Sequence, residues 1–230
     1  MRGYLIKNFL RKATIFREVN TFRPVLQNQR RARTFWKWYT KVYNAVNPIF
    51  YNKKMRQNFV ELTNPEAEFI IDLGCGTGYT TIELLKQNKT GNIIGIDLSL
   101  AQMMKAHIVV NALKENNRTH FIIADVEYLP LRSNVASVVI SAGLVEFLPN
   151  PVKVYREMRR VSKKGGDTAI LAPRLLKSPP IRVMTRIMMY FWTETEAWQD
   201  LRTAGFQEIN FYSDGPKWFR ELVLIAIAKK

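Results

Sequence analysis

The chain has 230 residues and 26.8 kDa, with 47% hydrophobic and 23% charged residues, which suits one domain with an appendage and excludes a disordered chain. One cysteine excludes a disulfide framework, and two histidines leave little for a metal centre, so no metal is expected. The formal net charge is +16, and residues 1–60 hold 14 Lys/Arg against one acid, Glu18, so the basicity is an N-terminal property that calls for an anionic partner.

Residues 1–60 mix helix-forming patches with cations and 12 of the 27 aromatic residues. No apolar core comes after the first basic residues, so a signal peptide is not expected. The longest near-continuous apolar run, residues 135–148, is about 14 residues and too short to cross a bilayer. The pattern changes after residue 68. Short β-rich runs at 69–73, 92–97, 120–124, 135–141 and 167–173 alternate with amphipathic stretches at 77–87, 100–116 and 151–162. Strands alternating with helices call for a parallel sheet built from βαβ units. A segment rich in Met, Arg and aromatics occupies 178–192, then a polar-capped helix 194–203 and strands 206–212 and 219–228. The expected division is a basic aromatic arm, 1–60, and a catalytic domain, 61–230, with a lid insertion at about 174–193.

The strongest motif is Ile70-Ile71-Asp72-Leu73-Gly74-Cys75-Gly76-Thr77-Gly78. It is an apolar strand ending in a Gly-x-Gly-x-Gly turn that opens a helix. Glycines there let the backbone turn sharply and approach a ligand. Gly95-Ile96-Asp97-Leu98-Ser99 then places an acid at the end of the next strand, at the spacing of a ribose-binding carboxylate. Cys75 is read as a small residue chosen for fit. Thr77 starts the helix, whose first amides are free for polar groups.

On these residues the sequence resembles class I S-adenosylmethionine-dependent methyltransferases. Ala124-Asp125-Val126-Glu127-Tyr128-Leu129-Pro130 resembles that family's adenine-binding stretch, Ser141-Ala142-Gly143-Leu144 the turn beneath the methionine portion, and residues 155–166 the helix and Gly-Gly turn before the fifth strand. The resemblance implies a Rossmann-like seven-stranded α/β sheet, mostly parallel with an antiparallel last strand and helices on both faces. It implies S-adenosylmethionine as cofactor, held by Asp72, Gly74, Gly76, Thr77, Gly78, Asp97, Leu98, Asp125, Val126 and Ser141. Asp97 would accept the ribose hydroxyls, Asp125 the adenine amine, and Asp72 would orient the ammonium group.

The residues just after the fourth strand narrow the acceptor. Amino-methylating nucleic-acid enzymes carry Asn/Asp-Pro-Pro-Tyr/Phe there, which this chain lacks, and pyrimidine C5 chemistry needs a cysteine that is not there. Phe35-Trp36-Lys37-Trp38-Tyr39, Val42-Tyr43 and Asn47-Pro48 resemble the N-terminal region of methylphytylbenzoquinone methyltransferases. Ser141-Ala142-Gly143-Leu144-Val145-Glu146-Phe147 and Gly215-Pro216-Lys217-Trp218-Phe219-Arg220 resemble further signatures of the same enzymes. More distantly the chain is similar to menaquinone and ubiquinone C-methyltransferases. The implied reaction is C-methylation of a prenylated quinol at a membrane surface. The implied location is cytoplasmic and peripheral, on the inner face of an anionic membrane, and a prokaryotic relative is expected.

Lys and Arg of the arm would meet anionic lipid while its rings settle among headgroups. Residues 181–192 would cover the prenyl tail. Glu146 is the candidate general base, although it also fits a helix-start or ion-pairing acid. Tyr43 is the second catalytic candidate, with Tyr79 a weaker one for positioning the quinol. His107 and His120 read as structural. The alternatives are an RNA methyltransferase gripping phosphates with the arm, a methyltransferase of another small lipophilic substrate, or a cofactor-binding assembly factor without catalysis.

Overall fold

The computed structural model describes residues 51–64, 66–88, 90–148, 150–174, 192–215 and 222–230. Most of the expected arm, most of the expected lid insertion, Tyr43 and residues 216–221 lie outside them.

Seven strands form one sheet: β1 (Phe69–Leu73), β2 (Asn92–Asp97), β3 (Thr119–Ile123), β4 (Ala136–Ala142), β5 (Ser162–Pro173), β6 (Glu208–Asp214) and β7 (Val223–Lys229). Their order is β3-β2-β1-β4-β5-β7-β6. β1 pairs in parallel with β2 and β4, β2 with β3, and β4 with β5. Only β7 runs against its neighbours, pairing antiparallel with both β5 and β6. This is the expected sheet, mostly parallel with its last strand reversed. The order reverses between β1 and β4. Connections leave that point to opposite faces, so a crevice opens at the carboxyl ends of these two strands.

Five helices among the described residues cover the sheet: α1 (Lys53–Glu61), α2 (Tyr79–Gln87), α3 (Leu100–Ala112), α4 (Pro151–Val161) and α5 (Glu194–Thr203). The central strands bury both faces, as a parallel sheet must. On one side Ile70, Ile93, Val138, Ile140 and Leu171 pack with Met55 and Phe59 of α1, Leu84 of α2 and Val110 of α3. On the other, Ile71, Leu73, Val139 and Ile170 pack with Tyr155 and Met158 of α4 and Leu201 of α5. Tyr155 lies 5.7 Å from Trp192, ring to ring.

Local sequence sets the helix ends. Asn52 caps α1 by accepting from the Met55 amide, and Ser99 caps α3 by accepting from Gln102. Thr193 and Glu196 form a reciprocal capping box on α5. α2 starts two residues later than the sequence suggests, because Gly78 at φ 86° belongs to the turn. α3 stops at Ala112 rather than running to 116, because Lys114 takes φ 59°, outside the helical range. β5 starts at Ser162, earlier than expected. Ser162 pairs with Ala136, and a register shift on the β5 side then carries the pairing to Val138 and Asp167. Arg174 and Trp192 form a parallel bridge.

Candidate functional site

The glycine turn comes after β1 at the crevice. Gly74, Gly76 and Gly78 have φ of 68°, 56° and 86°, the left-handed region that favours glycine. The Gly74 and Cys75 amides both donate to the Ile96 carbonyl, at 2.7 and 3.2 Å, so the turn folds back over β2. That contact brings Asp97 into place. Its Oδ2 accepts from the Gly76 amide at 2.9 Å and its Oδ1 from the Ser99 amide at 2.8 Å. Burial raises the Asp97 pKa, and these amide bonds oppose the rise. A carboxylate offers about four lone-pair sites, so this fixed acid can still accept from a vicinal diol. Leu98, half-buried, lies between Asp97 and the α3 cap.

Asp72 sits one residue before the end of β1 and is buried. Thr81 of α2 donates to its Oδ2 at 2.6 Å. Burial pushes its carboxyl up to about 7 against the pull of that hydroxyl; the neighbouring Asp97 adds to the rise and Arg56 opposes it. Thr77 is buried in the turn. Cys75 is buried with its Sγ 3.6 Å from Met103 Sδ, and burial raises its thiol pKa, which agrees with a packing role.

The loop after β3 carries Asp125 and Val126. The Ala124 amide donates to the Asp97 carbonyl at 3.1 Å, so this loop starts beside the acid of β2. Asp125 Oδ1 accepts from the Glu127 amide at 2.9 Å, and Val126 is buried. α4 holds the far side of the loop. Glu157 accepts from the Leu129 amide at 2.8 Å, while Arg160 donates to the Leu131 and Leu129 carbonyls at 2.7 and 3.1 Å. The two side chains also pair, at 2.7 Å, which holds the Glu157 pKa below its ordinary value.

β4 delivers the remaining residues. Ser141 is buried and donates from Oγ to the Leu73 carbonyl at 3.1 Å. Leu144 packs so closely over Gly74 that a Cβ there would stand 3.0 Å from it. A single 3-10 turn over Val145–Phe147 then buries Glu146. The Tyr51 hydroxyl donates to its Oε1 at 2.5 Å, and its Oε2 is buried with no hydrogen-bond partner among the described residues. Burial pushes the Glu146 carboxyl up to about 7, and the Tyr51 bond opposes the rise.

Two residues that sequence reasoning passed over complete this corner. Tyr51 is buried against Gly143. Arg56, buried on α1, donates to the Tyr51 carbonyl and lies 5.8 Å from the Tyr51 ring and 5.0 Å from the Tyr79 ring. Tyr79 thus lies under a guanidinium at the start of α2. The only sequence signal was an Asn52 cap before apolar residues four apart, which marks α1 as packed but not as part of a site. Tyr43 lies outside the described residues.

A doubly covered sheet in this order, whose ligand face is a glycine turn and a fixed diol-accepting acid, is the architecture of the S-adenosylmethionine-dependent methyltransferases. Comparison with known proteins agrees. A methyltransferase domain family matches residues 65–208. The 2-methyl-6-phytyl-1,4-hydroquinone methyltransferase of Arabidopsis thaliana is 31% identical over 199 residues, covering 85% of this chain and 57% of that protein. The chain therefore spans just over half the length of that relative. A malonyl-[acyl-carrier protein] O-methyltransferase of Marinomonas is 32% identical over 101 residues, covering 44% of this chain and 36% of that protein. Among solved structures, a phosphoethanolamine N-methyltransferase of Haemonchus contortus in complex with S-adenosyl-L-methionine has a TM-score of 0.71 at 15% identity, covering 86% of this chain and 59% of that one.

The chain belongs to the methyltransferase domain family, and S-adenosylmethionine is its cofactor. The residues present fit that group: a turn of three positive-φ glycines leaves the backbone bare, and Asp97 is held by two amides with acceptor capacity to spare. Among the described residues no group of acids, histidines and cysteine could hold a metal ion. No helix among them is long and apolar enough to cross a membrane.

Proposed function

We propose that this methyltransferase acts on a ring carbon of a prenylated benzoquinol or naphthoquinol, reached from the surface of an anionic membrane on its cytoplasmic side. The hydroquinone named for the Arabidopsis relative supports the acceptor class. The observation that carries the reading is Glu146, a buried acid just after β4 that holds one oxygen against Tyr51 and keeps the other unsatisfied. A buried acceptor without a partner costs about 1–3 kcal/mol, so it needs a use.

The cofactor-side roles rest on the same geometry. Asp97 accepts the ribose hydroxyls. Asp125 accepts from the adenine amine, with the Val126 amide beside it, and Leu98 packs near the base. Asp72 and Ser141 support the methionine end. Gly74, Gly76, Thr77 and Gly78 form the cradle. When bound, S-adenosylmethionine supplies a methyl group on a positively charged sulfur, open to in-line displacement.

The protein's task is then to activate and align the acceptor carbon. A neutral phenol carbon is a weak nucleophile. Glu146 Oε2 takes the phenolic proton, which places electron density on the ring carbon that forms the new C–C bond. The ring proton at that carbon passes to water as aromaticity returns, and Glu146 gives its proton back to the phenolate oxygen. A base whose pKa lies near 7 is half-ready at neutral pH, and its proton transfer is worth about a hundredfold to ten-thousandfold. Burial around Glu146 helps, because the bound cofactor would supply positive charge at sulfur and a dry site would favour its neutralisation by the phenolate. Tyr43 is a further candidate to position the quinol. The proposed organisation is an arm over 1–60, of which α1 packs on the core, and a methyltransferase domain over 61–230 with a lid at about 174–193. The arm's cations and rings hold the enzyme at the lipid surface.

The test is incubation of the full chain with radiolabelled methyl donor and a membrane lipid extract, with identification of the labelled product. A labelled prenyl quinol is expected. Label confined to RNA or protein would overturn the acceptor assignment.

A further inference from the structure

α3 is apolar on both sides. Met103, Ala106 and Val110 face the core and are buried. Leu100, Met104 and Ile108, each four residues apart, form one outward line and are 57%, 60% and 66% exposed. Val109 and Leu113 are exposed beside them. A helix of this kind at a water-facing edge leaves its outer line without a partner.

The apolar surface continues onto β3, the edge strand of the sheet. Phe121 packs edge-on against the His107 ring of α3 at 6.3 Å. Alternation along the strand puts Ile123 on the same face as Phe121, and Ile123 is 53% exposed. Leu100, Met104, Ile108 and Ile123 therefore belong to one edge of the molecule. The patch begins beside the cofactor site: Ser99, the α3 cap, donates its amide to Asp97 at 2.8 Å.

Charge decides what covers it. From Leu100 to Lys114 there is no acid, while Lys105, His107 and Lys114 are exposed. Apolar side chains flanked by Lys105 and Lys114, with the adjoining Glu115 carboxylate paired to Arg118 at 2.6 Å, match the boundary between acyl chains and anionic headgroups. A second copy of the chain fits less well. In a two-fold interface the patch would meet itself and set its lysines against a surface that carries lysines too.

We propose that the outer face of α3, with Ile123 of β3, is a docking surface for an anionic lipid bilayer. This rests on the membrane reading of the function and names a contact separate from the basic arm. Docking here lays the β3 edge of the sheet against the lipid, with the carboxyl ends of β2 and β3, and so the mouth of the site, at the Leu100 end of the contact.

The experiment uses the full chain carrying Ile108→Cys, labelled with an environment-sensitive fluorophore. Cys75 is buried, so the introduced thiol is the accessible one. Flotation with phosphatidylcholine–phosphatidylglycerol vesicles and fluorophore emission are read together. A blue shift on vesicle addition is expected, with no shift on phosphatidylcholine alone. The double variant Met104→Glu, Ile108→Glu should float less than wild type at moderate salt while keeping wild-type cofactor affinity and melting temperature, and flotation equal to wild type would overturn the α3 proposal. If that variant unfolds, the labelled protein still decides the matter. Flotation without a blue shift would overturn the α3 proposal and leave the membrane reading standing. Failure of the wild-type chain to float would overturn both. A blue shift that grows with protein concentration in the absence of vesicles would assign the face to a second copy instead.

Discussion

The Tyr51 hydroxyl and Glu146 Oε1 stand 2.5 Å apart, joined across 95 residues of sequence. The pair ties the segment before α1 to the turn after β4. Its consequences can be read as stability, as kinetics and as backbone strain.

The first is stability. Glu146 titrates near 4.5 in an unfolded chain and at about 7 when buried. Between those values the folded chain binds more protons than the unfolded one, so stability falls as pH rises through the window and levels off above about 7. Asp72, raised from 3.8 to about 7, contributes in the same direction. Glu146→Gln removes one of the two slopes. Its melting temperature relative to wild type should therefore climb between about pH 5 and about pH 8, as measured by thermal unfolding across that range. Parallel profiles would show that Glu146 ionises in the native protein at its ordinary value.

The second is kinetic. With a quinol acceptor, kcat should fall as pH drops below about 7, because Glu146 then carries its proton. The Tyr51 bond holds the Glu146 pKa down, so Tyr51→Phe should move the acid limb of the kcat profile to higher pH. Activity at high pH should recover. A uniform drop with no movement of the limb would mean that Tyr51 only supports packing.

The third is backbone strain. Gly143 has φ 71°, and a Cβ there would lie 3.0 Å from Cε2 of Tyr51. Gly143→Ala should destabilise the fold by about 1–3 kcal/mol through the left-handed backbone alone. Displacement of Tyr51 should add to this. Urea unfolding at a fixed pH measures the sum. A change within about 0.5 kcal/mol, the range of ordinary surface substitutions, would show that the turn relaxes freely.

Sequence reasoning reached the sheet and the cofactor end more completely than the acceptor end, for a physical reason. β1 and β2 are short apolar runs bounded by a glycine turn and an acid, and α5 has its own capping box. All three occupy the expected residues, because their signals are local. β3 and β4 are displaced by one residue and β6 by two, and β5 and β7 start five residues earlier and four later than expected, since pairing with a neighbour and not local sequence sets their ends. Glu146 was visible because it comes just after a strand. Tyr51 and Arg56 were not, because their partners lie in the turn after β4 and on α2 and no spacing rule links them. A buried arginine in α1 also contradicts the usual reading of a charged run as a solvated face.

The cofactor acid gives a fourth prediction. Asp97→Ala removes the proposed diol acceptor along with the bonds to the Gly76 and Ser99 amides. S-adenosylmethionine binding should weaken by at least about a hundredfold, from roughly 3 kcal/mol of charge-assisted hydrogen bonding. Titration calorimetry reads it directly. An affinity within about threefold of wild type, less than 1 kcal/mol, would remove Asp97 from the nucleoside site.

Arg160 touches no residue assigned to the cofactor, yet it donates to two carbonyls of the loop that continues from Asp125 and Val126. It also pairs with Glu157, which holds the Leu129 amide of the same loop. The clasp fixes the loop before ligand arrives, so binding need not order it. Arg160→Leu keeps most of the aliphatic contact and removes the donors. The loop would then sample other conformations, and apparent affinity falls by the fraction of time it is competent. We expect the dissociation constant for S-adenosylmethionine to rise about tenfold, the equivalent of about 1.4 kcal/mol, while kcat at saturating cofactor stays near wild type. Calorimetry and initial rates at high cofactor separate the two quantities. A fall in kcat at unchanged affinity would instead place the loop in contact with the acceptor, and move Asp125 and Val126 from the nucleoside end of the site to its reacting end.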